Sequence, residues 1–102
     1  MATLEQQFHN ELVKQCQRAQ ALCPDYQPAR FLQAIERFGA LKAVKALLRR
    51  GQPSDGFQIL ADAGQLELTM ESLVIRSRYG ALFTDEEVNH CFALLVDAGY
   101  YQ

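Results

Sequence analysis

Apolar residues recur at steps of three and four along most of this chain, the spacing of helices buried on one side. The first row is Leu4, Phe8, Leu12, Cys16, Ala19 and Cys23, with Glu11, Lys14 and Arg18 on the other side. Thr3 and Gln6 form a capping box at its start, and Pro24 ends it. A second helix starts at Asp25-Tyr26-Gln27-Pro28, since proline is tolerated in a first turn. Phe31, Leu32, Ile35 and Phe38 form its apolar face, and Gly39 ends it. The third helix runs from Ala40 to Arg50, with Leu41, Val44, Leu47 and Leu48 inward, and stops at Gly51 and Pro53.

The stretch from Pro53 to Ile75 then reads as helix, stop, helix. Ser54 or Asp55 is expected to cap a helix carrying Phe57, Ile59, Leu60 and Ala63, which Gly64 ends. Thr69 caps the next helix, ahead of Leu73, Val74 and Ile75, and Leu68 and Leu73 have the spacing of a hydrophobic staple. Ser77 to Leu82 reads as a connection through Gly80. In Phe83-Thr84-Asp85-Glu86-Glu87-Val88, Thr84 is an N-cap, Glu87 completes a capping box, and Phe83 and Val88 form a staple. Val88, Cys91, Phe92 and Leu95 are the expected buried face of this last helix, and Gly99 stops it. No segment alternates convincingly with period two; QLELTM does so for only a few residues. The pattern predicts an all-α fold: one domain over residues 1–102, of about six short helices, with the long first helix packed across the others.

Composition changes this picture little, and charge changes it more. A chain of 102 residues can bury a core without disulfides or metals. No apolar run approaches the length of about 18 residues that reads as a membrane span. MATLEQQFHNEL lacks the basic start and apolar stretch of a signal peptide, and the three cysteines are an odd number. Both features point to reduced thiols and a cytoplasmic protein. The net charge is only −2. Lys14, Arg18, Arg30, Arg37, Lys42, Lys45, Arg49 and Arg50 face only Asp25 and Glu36 between residues 14 and 50, a local charge of +6. Residues 52–102 carry eight acids against Arg76 and Arg78, a charge of −6. Either the two halves neutralise each other, or the basic segment meets an acidic partner.

Candidate chemistry is sparse. Cys16 and Cys23 have six residues between them, unlike the close cysteine pairs of structural zinc sites, so no metal is expected and Cys16 and Cys91 read as core. His90 and Cys91 are helix neighbours that point about 100° apart and cannot act as base and nucleophile. His90 is expected to pair with Glu86 on the surface, and His9 is expected to be exposed. RRGQPSDG lacks the spacing and the Lys-Ser/Thr ending of a phosphate loop. The second and third helices have the order of a helix-turn-helix, but Ala40, Leu41, Lys42 and Ala43 occupy the positions that normally read bases. That arrangement suits phosphate contact better than base readout.

The ordered blocks YQPARFLQAI, AVKALLRRGQPSDGF, LADAGQLELTMESLVI, LFTDEEV and AGYY, from Tyr26 to Tyr100, resemble a small, largely uncharacterised bacterial helical family of about this length. Its pattern is RFLQM, PSDGF/Y, GRLDLTVEALV, LFT and GY. The resemblance implies a compact helical domain and no particular activity. Gln65 stands where that pattern has a basic residue. The reading that follows is a non-catalytic protein-interaction or adaptor module without a cofactor. Its expected binding residues are Arg30, Arg37, Lys42, Lys45, Arg49 and Arg50, presented to an acidic partner. Sequence-independent nucleic-acid binding through the same residues is the alternative.

Overall fold

The first helix is capped as its sequence predicts. In the computed structural model, which describes residues 3–51, 53–54 and 56–100, the Gln6 N–H donates to Thr3 Oγ1 and the Thr3 N–H donates to Gln6 Oε1, each at 3.1 Å. This helix, α1 (Leu4–Leu22), has 19 residues. At about 1.5 Å per residue it is roughly 28 Å long, and the molecule's longest dimension is 35 Å. Its buried row, Phe8, Leu12, Gln15, Cys16 and Ala19, runs across α2 (Ala29–Phe38), α3 (Ala40–Arg50) and α5 (Met70–Val74). The remaining α-helices are α4 (Phe57–Asp62) and α6 (Asp85–Asp97), with 3-10 turns at Leu66–Leu68 and Ser77–Leu82. Among the described residues there is no strand, so the all-α reading holds. None of these helices is long and apolar enough to cross a membrane.

The main core lies between α1, α2, α3, α5 and α6. Phe8 meets Tyr79 edge-on at 5.2 Å between ring centroids and Phe83 at 5.3 Å. Two smaller clusters flank it, one of Ala19, Cys23, Tyr26, Leu60 and Leu68, the other of Phe57, Leu66 and Leu95. α5 is central: all five of its residues are buried, including Glu71 and Ser72. Thr69 caps it, accepting from the Ser72 N–H, and the Gln15 side-chain amide donates to the Thr69 carbonyl at 3.1 Å. A polar residue on the buried face of α1 thus anchors the start of the central helix.

Several expectations change on packing. Ser54 does not cap α4. Gly56 precedes that helix with φ +82°, no side chain caps it, and both Ser54 donors turn to Glu71 instead. The proposed cap at Asp55 lies outside the described residues. Leu68 and Leu73 are both buried but belong to different clusters, whereas Phe83 and Val88 share the main core. Phe92 and Ile59, expected inside, are exposed. On α6 the row Val88, Cys91 and Leu95 faces inward, and Phe92 lies about 100° around from Cys91. On the short α4, Phe57 and Leu60 take the inward places and leave Ile59 outside.

Candidate functional site

The basic residues of α2 and α3 divide between two surfaces. Two of them, Lys42 and Arg50, face a shallow apolar cleft of about 310 Å³ where α2 lies against α3. On α2 its lining is Phe31, Ala34 and Phe38; on α3 it is Lys42, Ala43, Ala46, Leu47 and Arg50. Its origin is steric, because Ala34, Ala43 and Ala46 are too small to fill the space between the larger side chains. Phe38 is 57% exposed although its spacing put it on the inner face of α2. It is the last residue of that helix, one turn beyond the buried Ile35. The Arg37 guanidinium lies 5.5 Å from the Phe38 ring centroid, a cation–π contact. Lys42 and Arg50 stand at the rim, both exposed.

The other surface faces α6. Lys45 Nζ lies 2.8 Å from Glu87 Oε1 and 5.4 Å from the Phe83 ring centroid. The same Glu87 oxygen accepts the Thr84 N–H that closes the α6 capping box. Burial acts to raise the Glu87 pKa, but the hydrogen bonds from Lys45 and Thr84 and the Lys45 charge outweigh it and hold the carboxyl below its ordinary value. Arg49, with Leu48, lines a hollow opposite Thr84, Glu86, Glu87 and His90. Arg30 is exposed in the first turn of α2. Among the described residues no carboxylate pairs with Arg30, Arg37, Lys42, Arg49 or Arg50. Arg76 and Arg78, the two cations of the acidic half, pair with Glu11 on α1.

Lys42, Lys45 and Arg49, at i, i+3 and i+7 along α3, therefore do not form one uniform charged face. Lys45→Glu is expected to lower the urea midpoint clearly, because it sets a second carboxylate against Glu87. Lys42→Glu is expected to stay within about 0.5 kcal/mol of the parent, as exposed substitutions usually do. Equal stability of the two variants would show that the Lys45–Glu87 pair contributes nothing.

A second cluster was not apparent in the sequence. Glu71 has no exposed surface, and its two oxygens accept the Ser54 N–H and the Ser54 hydroxyl, each at 2.7 Å. Burial raises the Glu71 pKa; the Ser54 hydrogen bonds and the His90 charge oppose it without cancelling it. Cys91 is fully buried, and its thiol is pushed up to about 12 by burial and by the charges of Glu71 and Glu87. That shift suppresses the thiolate, the reactive form. Among the described residues His90 makes no ion pair with Glu86; its Nε2 is turned inside and has no hydrogen-bond partner. His9 is half-buried rather than exposed, and its Nδ1 accepts the Ala40 N–H at the start of α3. No group of three or more His, Cys, Asp or Glu side chains among the described residues comes together as a metal site.

Cys16, Cys23 and Cys91 are all buried free thiols. Native protein is expected to react slowly with a chromogenic disulfide reagent and to release three equivalents on denaturation. One rapid equivalent from the native chain would contradict this packing. Comparisons with protein-family models, with curated proteins and with solved structures found no match.

Proposed function

We propose that this chain is a non-catalytic interaction module that docks an acidic protein partner on the α2–α3 surface. The observation that carries the reading is the apolar cleft with an outward Phe38, whose ring the Arg37 guanidinium covers, and with Lys42 and Arg50 in its lining; none of these three cations has a described carboxylate partner. Aromatic and arginine side chains at the centre of an apolar patch are the usual anchors of protein interfaces. Lys45 is engaged by Glu87, Arg49 faces the acidic start of α6, and Arg30 is exposed in the first turn of α2. A hydrolase or transferase fits poorly, since the buried thiol is held protonated and Ser54 is tied directly to a buried carboxylate.

The test compares the full chain with its Lys42→Glu/Arg50→Glu variant, each immobilised and exposed to host extract treated with DNase and RNase. The parent is expected to retain a specific partner that the variant loses. Rim charges should act mainly on the association rate and on its salt dependence. Capture that disappears with nuclease treatment would favour phosphate contact. A steep loss of oligonucleotide binding with salt would be its signature. Equal capture by parent and variant would remove the surface from consideration.

A further inference from the structure

We infer that the occupant of the α2–α3 cleft is a short amphipathic helix with acidic residues flanking an apolar stripe. This deepens the interaction reading above and rests on it. The cleft offers no free backbone groups. Its two walls are helices, whose backbone groups are already bonded within each helix, and no sheet edge exists among the described residues. An extended peptide entering an apolar cleft would leave buried main-chain N–H and C=O groups without partners, which is unfavourable for each one. A helix brings its own backbone bonds and needs only side-chain contacts, the helix-in-groove mode of recognition.

Charge and spacing select the helix further. Lys42 and Arg50 are eight residues apart on α3, about 12 Å along the axis. Carboxylates seven residues apart on a ligand helix are separated by about 10.5 Å. A helix laid along α3 therefore reaches both cations with two acids while apolar residues between them meet Phe38 and Leu47. Ala43 and Ala46 let its side chains approach closely. Nucleic acid fits less well. The Arg37 guanidinium already lies over the Phe38 ring, where a base would stack.

The test uses the full chain and three displayed libraries of randomised 14-residue peptides. The first carries apolar residues at i, i+3, i+4 and i+7 with acidic flanks. The second has the same composition with apolar residues at alternate positions. In the third, lysine replaces each acid of the first. Selected peptides are synthesised and titrated by fluorescence anisotropy, with circular dichroism of free and bound peptide. Duplex and single-stranded oligonucleotides are titrated in parallel.

The expected winners come from the first library, bind at least tenfold more tightly than the best of the others, and gain helicity on binding. Affinity should fall at least tenfold in Lys42→Glu/Arg50→Glu, and similarly in Ala46→Gln, which narrows the cleft without changing charge at an exposed helical position. Thermal melts of both variants confirm that they are folded. If acidic peptides of the second library win and respond to the same variants, the helix is wrong and the acidic docking surface stands. If no acidic peptide is enriched, or none responds to the variants, both the helix and the docking reading fail. Tighter binding of oligonucleotides replaces both with phosphate recognition. Concentration-dependent growth in mass of the chain alone, reversed by Ala46→Gln, would make a second copy the occupant and overturn the external helix.

Discussion

Glu71→Ala is expected to lower the unfolding free energy by roughly 2–4 kcal/mol, since it strands two buried donors and opens a cavity. The donors are the N–H and hydroxyl of Ser54, itself 8% exposed, so the Pro53-Ser54 loop loses its attachment to the central helix. Glu71→Gln separates shape from charge. Its amide oxygen accepts the Ser54 N–H, and its amide nitrogen donates to Ser54 Oγ. At neutral pH this variant should lie within about 1 kcal/mol of the parent, because it gives up charged hydrogen bonds but also the burial of a charge.

The pair of proteins also isolates a pH effect of known sign. Burial raises the Glu71 pKa above its ordinary 4.5, against the Ser54 hydrogen bonds and the His90 charge. Above about pH 4.5 the unfolded chain releases this proton while the folded chain keeps it. The contribution of protonated Glu71 is therefore complete below that pH and is lost as pH rises through the raised native value. Glu87 has the opposite sign: its pKa is depressed, and its contribution is lost on acidification. Glu87 is present in both proteins, so its effect cancels in their difference. Urea unfolding from about pH 4.5 to about pH 8 should show the parent losing stability relative to Glu71→Gln as pH rises. Parallel curves would mean that Glu71 does not bind its proton more tightly in the folded state.

Gly56→Ala is the second large effect. Gly56 has φ +82°, and a Cβ there would lie 2.4 Å from Cδ1 and Cε1 of the Tyr26 ring. A left-handed conformation costs an L-residue roughly 1–2 kcal/mol, and displacing a well-packed ring adds typically about 1–3 kcal/mol. A total loss of roughly 3 kcal/mol is expected. Gly51→Ala provides the comparison, since Gly51 has φ +68° but nothing within 4 Å of its Cβ position. It should lose only the conformational part. In a Tyr26→Leu background the steric part of the Gly56→Ala penalty should shrink, giving a coupling that a double-mutant cycle measures. An unchanged penalty would place the strain in the backbone alone.

The sequence by itself determined which stretches are helical, because those signals are local, but not every start: α2 begins at Ala29, after Asp25-Tyr26-Gln27-Pro28, and no side chain caps α4. Both capping boxes, at Thr3 and Thr84, form as spelled, and α3 runs over the predicted Ala40–Arg50. Buried Cys16 and Cys91 followed from the three-and-four spacing of their neighbours. Spacing along one helix says which residues share a face, but not how much of that face a neighbour covers. Phe38 and Phe92 belong to apolar rows, yet both stand exposed where packing runs out. Lys42 and Lys45 looked alike, and only the placement of α6 beside α3 made one a rim charge and the other the partner of Glu87. Ser54 and Glu71 are 17 residues apart, and Ser54 had a local role open to it, as a helix cap. Their pairing needed the long-range packing that encloses α5. Burial there makes an unpaired carboxylate or serine donor costly, and so selects the contact that local propensity does not encode.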